Sequence, residues 1–172
     1  MSIFQSFLDA VSNPNQAGTQ KDLQGLAGLA ALVPGLAGAE HQLPPILDVL
    51  GSHLKDALSQ QQQTQGTSAA QQTVTTLSQG GVSVPQLQSL FGQDRFQQII
   101  ADLTQRTGLN EATLLGMLPV VLPVVMRVLS AGTQQANPQA PNPVLSQFLS
   151  GNQSGGSVLS EAFQLASQFL RR

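Results

Sequence analysis

Residues 114–129 read LLGMLPVVLPVVMRVL, a run that is apolar but for Arg127 and carries Pro119 and Pro123 four residues apart. A bilayer span needs ~20 such residues. Only 15 uncharged residues lie between Glu111 and Arg127. Each proline would also leave a backbone carbonyl without its helical partner, and hydrocarbon offers no substitute. The run therefore reads as core helix in two pieces. Asn110 caps the first piece. The second is expected to begin at one of the prolines, where a missing N–H costs nothing in a first turn. A helix apolar on nearly every face must lie inside the fold or in a subunit contact.

The rest of the chain supplies partners for such a helix. Its 172 residues are 41% hydrophobic, enough for one domain with a real core, but only 4% aromatic. Packing must rest on Leu, Val, Ala and a few Phe. Charged residues make up 9%, whereas about one residue in seven is Gln, so solubility rests on amides. The net charge of −2 creates no field that would draw in DNA or an anionic membrane. The absence of cysteine excludes disulfides, a thiol nucleophile and a zinc–thiolate site. Residues 23–39 imitate a targeting segment and end in Ala37-Gly38-Ala39. The stretch before them is too long for a signal peptide's basic region and carries Asp9. A cytoplasmic location is the expectation.

Helical spacing recurs along the chain. Ile3, Phe4, Phe7, Leu8 and Val11 make one apolar face, stopped by Asn13-Pro14-Asn15. A small-residue helix is expected from Lys21 to Val33. Leu43, Ile46, Leu47, Leu50, Leu54 and Leu58 define another. The Gln-rich tract at 60–68 reads as a flexible connector, followed by a short helix over 71–77. Ser83 is placed to cap a helix bearing Val84, Leu87, Leu90 and Phe91, ended by Gly92. Phe96, Ile99, Ile100 and Leu103 mark a longer one, with Asp102 and Arg106 an i,i+4 surface pair. Gly108 fits a left-handed C-terminal position. TQQANPQAPNP after Gly132 has nothing apolar to bury and should be loose. Val144, Leu145, Phe148 and Leu149, then Val158, Leu159, Ala162, Phe163, Ala166, Phe169 and Leu170, form two last amphipathic pieces. No stretch shows strand alternation, so the fold class is all-α.

Across Val82 to Ala131, the segments VPQLQSLFG, Ile99 to Leu103, TGLNEATLLGMLP and VLPVVMRVL resemble the YidB-like bacterial proteins, a family of unassigned function. The opening Met1-Ser2-Ile3-Phe4 is similar to that family's short N-terminal helix. The resemblance covers about 50 residues well and implies a homeodomain-like helix-turn-helix arrangement in residues 82–131; it implies no catalytic residues. The Gln-rich insert and the tail after Gly132 depart from the family pattern. The expected organisation is N-terminal helices over 1–80, a YidB-like helical core over 81–131, a flexible linker over 132–143 and C-terminal amphipathic helices over 144–172.

Chemistry finds little purchase. In helix-turn-helix spacing, the second helix would expose Glu111, Ala112, Leu115 and Gly116, one acidic and none basic, with only Arg95 and Arg106 near for phosphate. That argues against nucleic acid, although a DNA-binding helix-turn-helix protein is the principal alternative. His41 and His53 stand twelve apart, not at the i,i+4 spacing of two ligands on one helical face, so no metal site is expected. Ser154 in GNQSGG misses the nucleophile-elbow pattern and reads as linker. Asp48, His53 and Asp56 share a helix and would have to line a closed pocket for a second alternative, a hydrolase with a non-standard site. No catalytic, cofactor-binding or metal residue is assigned. Helices 3–11 and 158–170 have strong apolar faces, but the first has no basic residue and the second only Arg171 and Arg172, so lipid contact is not expected. The expectation is a non-enzymatic interaction or self-association module that uses these two helices.

Overall fold

The computed structural model describes residues 3–16, 21, 24, 42–80, 82–137 and 140–170. Of the helix expected over Lys21 to Val33 and the targeting-like segment 23–39, only Lys21 and Gln24 are described, both helical and exposed; the remainder, and His41, lie outside the described residues. Eight helices form among those described, with no strand beyond a single bridge between Gln16 and Gln134. They are α1 (Ile3–Ser12), α2 (Leu43–Gln65), α3 (Thr67–Ser78), α4 (Val84–Phe91), α5 (Gln93–Thr107), α6 (Glu111–Ser130), α7 (Pro143–Ser150) and α8 (Gly155–Leu170). The chain is all-α.

Two long helices organise the rest. The leucine-spaced face of α2 is fully buried at Leu43, Leu47, Leu50, Leu54 and Leu58. It receives α8 along one side and α3 and α5 along others. Helix α6 is covered by α3, α5 and α7. Helix α1 rests on α7 and α8, with Phe7 and Ala10 buried and Phe4, Leu8 and Val11 half-buried against the core.

Helix α6 corrects the expectation of two pieces: it runs unbroken from Glu111 to Ser130 with both prolines inside. They remove the donors that would reach the Leu115 and Pro119 carbonyls, and an interior proline costs ~3 kcal/mol. Against that, ten Leu, Val and Met side chains of α6 are buried, each contributing roughly 2 kcal/mol. Even allowing for a compact unfolded chain, burial outweighs the broken ladder. Among the described residues, α6 is the one helix long and apolar enough to cross a bilayer, and 61% of that window is buried within the fold.

Three segments read as linkers are structured. The Gln60–Gln65 tract is helical and completes α2; Gln has good helix propensity, and the break shrinks to Gly66 at φ +90°. Helix α3 then begins at Thr67, four residues before the short helix expected at 71–77. Residues 132–137 and 140–143 are held by polar bonds instead of apolar ones. Gln135 N donates to the Asn15 carbonyl at 3.0 Å, and Gln71 Nε2 to that of Ala140 at 3.1 Å. Asn142, 1% exposed, anchors its end. Its Nδ2 donates to the Leu129 carbonyl at 2.7 Å and to Thr133 Oγ1 at 3.1 Å, while its Oδ1 accepts from Leu145 N and caps α7. Finally, Gly155 and Gly156 of GNQSGG are buried in the first turn of α8, where they cross α2 at Gly51.

Candidate functional site

Helices α4 and α5 and the first turns of α6 enclose a groove of about 660 Å³. Phe96 and Ile100, one turn apart on α5, are buried at its base. Val84 of α4 and Leu115 of α6 are half-buried along its edges. Gln88, Gln97, Thr104 and Gln105 supply an uncharged rim. Glu111 is its one charge, placed in the first turn of α6 where the helix dipole favours an anion.

Local sequence positions each wall. Gln86 Oε1 accepts from Ser83 N at 2.9 Å, the returning half of a capping box that sets the start of α4. Gly108, at φ +70°, ends α5. Asn110 Oδ1 then accepts from Thr113 N at 2.8 Å and starts α6. Apolar side chains fit such a groove; its one hydroxyl, that of Thr104, donates to the Ile100 carbonyl at 2.8 Å with no base beside it, and no cation lines it for a phosphate. At the start of α6, Glu111, Ala112 and Gly116 are exposed and Leu115 is half-buried, so the face a recognition helix would present carries no basic residue.

A second polar feature lies on the seam between α2 and α5. His53 Nε2 stands 3.2 Å from Asp102 Oδ2, with side chains 20% and 50% exposed. Arg106 Nη1 donates to Asp48 Oδ2 at 2.8 Å. The expected Asp102–Arg106 pair along α5 is thereby corrected: both residues pair across the seam instead. The packing of α2 on α5 brings His53 and Asp48 within reach, and an i,i+4 attraction of a few tenths of a kcal/mol cannot compete. Asp56 is exposed and joins neither pair, and the groove is lined by none of Asp48, His53 and Asp56. Among the described residues no group of three or more His, Cys, Asp or Glu gathers in a metal-holding cluster.

The groove escaped the sequence reading because Val84, Phe96, Ile100 and Leu115 all appeared there as core positions. Periodicity finds the apolar face of each helix, but it does not say where two such faces diverge. Comparison of the chain with family models, curated proteins and solved structures finds no match.

Proposed function

We propose that this chain is a non-enzymatic helical interaction module that self-associates, and that a second copy docks on the groove between α4, α5 and α6. The carrying observation is the pairing of an apolar base with a rim whose only charge is Glu111. The occupant follows from charge. With 16 formally charged residues in 172 and a net charge of −2, two copies meet with little repulsion. A basic or strongly acidic partner finds little to complement. The apolar helices 3–11 and 158–170 first expected to carry association play a smaller part, because α1 and the described side chains of α8 are used largely on the chain's own core. With this reading we also propose that residues 82–131 are the YidB-like core, its homeodomain-like corner at Gly108 serving packing and association in place of DNA contact.

The test is light scattering of the full chain across concentration, with Leu115→Glu as the comparison. Leu115 is only half-buried, so the variant is expected to keep the fold, which an unchanged circular-dichroism spectrum checks. The expected result is a wild-type mass rising to twice the 18.0 kDa of one chain, and a variant that stays at one. A wild type that remains a monomer at all concentrations overturns the proposal.

A further inference from the structure

Four Lys and Arg residues lie in α2 to α8, and three are engaged. Lys55 Nζ donates to the carbonyls of Gly151 and Gln153, just past the end of α7. Arg127 Nε donates to the last carbonyl of α3, that of Ser78, at 2.9 Å. Arg106 holds Asp48. The fourth, Arg95, is half-buried and has no ion pair or hydrogen bond among the described residues. Its neighbour Asp94 is exposed, and adjacent helical residues do not face each other.

Arg95 lines a groove of about 280 Å³ between α2, α4 and α5. Gln61, Thr64 and Gln65 of α2 and Ser89 of α4 wall it with amides and hydroxyls, above Phe91. No carboxylate lines it. A further groove of about 430 Å³ shares Gln61, Gln65 and Ser89 and has no charged residue. Together they reach the size of small-molecule sites, roughly 300–1,000 Å³. Here the Gln-rich tract has a use. Gln61 Nε2 donates to Thr73 Oγ1, Thr64 Oγ1 to the Gln60 carbonyl and Ser89 Oγ to that of Pro85. Thr64 and Ser89 therefore offer lone pairs to a hydroxyl, and Gln65 an amide that both donates and accepts.

We propose that this groove binds a small hydroxylated anion, one carboxylate or phosphate group on Arg95 and its hydroxyls on the Gln, Thr and Ser side chains. A guanidinium stays charged at all relevant pH and offers a planar fork of donors that matches either anion. A single cation matches a single anionic group, and neutral amides suit hydroxyls without charge-specific demands. Helix α4 separates this groove from the association groove: Gln88 lines that one and Ser89 this one. The two proposals therefore stand or fall separately.

The test is calorimetric titration of the full chain with D-gluconate and with glucose 6-phosphate, and with glucose and inorganic phosphate as the two halves of such a ligand. At least one hydroxylated anion is expected to saturate, with each half binding about tenfold more weakly or less. Preference for gluconate assigns a carboxylate to Arg95, and preference for the sugar phosphate assigns a phosphate. Arg95→Gln should lower that affinity by at least about tenfold while leaving the melting temperature unchanged, because Arg95 bonds to nothing in the helical body. No saturation by either anion up to about 10 mM, or equal binding by Arg95→Gln, overturns the proposal. So does glucose binding as tightly as the anions.

Discussion

Gly156, in the first turn of α8, lies so close to Asp48 of α2 that a Cβ built on it would stand 1.8 Å from the Asp48 carbonyl oxygen. Gly155 is as tightly placed, 2.2 Å from the Gly51 carbonyl oxygen by the same construction. Backbone therefore meets backbone where α2 and α8 cross. The obstructing atoms belong to a helix ladder and not to a side chain that can swing away. Gly156→Ala must push the helices apart and is expected to cost about 3 kcal/mol or more. Urea unfolding monitored by circular dichroism measures this. A loss below about 0.5 kcal/mol would show that the crossing is looser than described.

The buried Asn142 closes the loop after α6 and caps α7 with one side chain. Asn142→Ala removes the cap and strands the Leu129 carbonyl, so the expected loss is about 2–4 kcal/mol. Asn142→Asp keeps the cap acceptor but cannot donate to Leu129, and it buries a carboxylate. It should cost at least as much at neutral pH. Equilibrium unfolding of both variants decides whether the bonds of Nδ2 or that of Oδ1 dominate.

Pro119 is a half-buried proline inside a helix. Pro119→Ala restores a donor for the Leu115 carbonyl and relieves the ring's clash with that turn, a gain of up to ~3 kcal/mol. The more flexible unfolded chain takes back about 1 kcal/mol. The prediction is a net gain of about 1 kcal/mol, read as a higher midpoint in urea. Pro123 is buried, so Pro123→Ala also leaves a cavity and should gain less. A destabilised Pro119→Ala would mean that the ring packs more productively than its exposure indicates.

The charge pairs across α2 and α5 make a sharper comparison. A double-mutant cycle on Asp48 and Arg106, whose side chains are 32% and 57% exposed, is expected to give a coupling of about 0.5 kcal/mol that fades with salt. The same cycle on Asp102 and Arg106 should give a coupling near zero. The reverse order would restore the pairing along α5 that its i,i+4 spacing suggests.

Much of the helical pattern is readable in residue order, because each signal is local. The apolar faces of α1, α2, α5 and α7 follow from 3.6-residue spacing. The caps at Ser83 and Asn110 and the left-handed Gly108 follow from the chemistry of helix ends. The errors share a cause. The glutamine tract, the Asn- and Pro-rich loop and GNQSGG look unstructured because they hold little to bury. Yet Gln60–Gln65 needed only the preceding helix to extend, and the loop draws its partners from Asn15, Gln71 and Leu129, outside itself. Pro119 and Pro123 show the opposite error, a strong local signal overruled by burial of the helix that carries them.

What residue order by itself determines here is the all-α class, the identity of most buried faces and the scarcity of reactive groups, since all three depend on composition and short-range periodicity. The tertiary structure alone decides which charges pair, where Gly51, Gly155 and Gly156 let two backbones touch, and where apolar faces part to leave a groove. Those outcomes depend on how helices distant in sequence cross. Arg106 meeting Asp48, and Arg95 meeting no partner among the described residues, are set by helix packing rather than by sequence spacing.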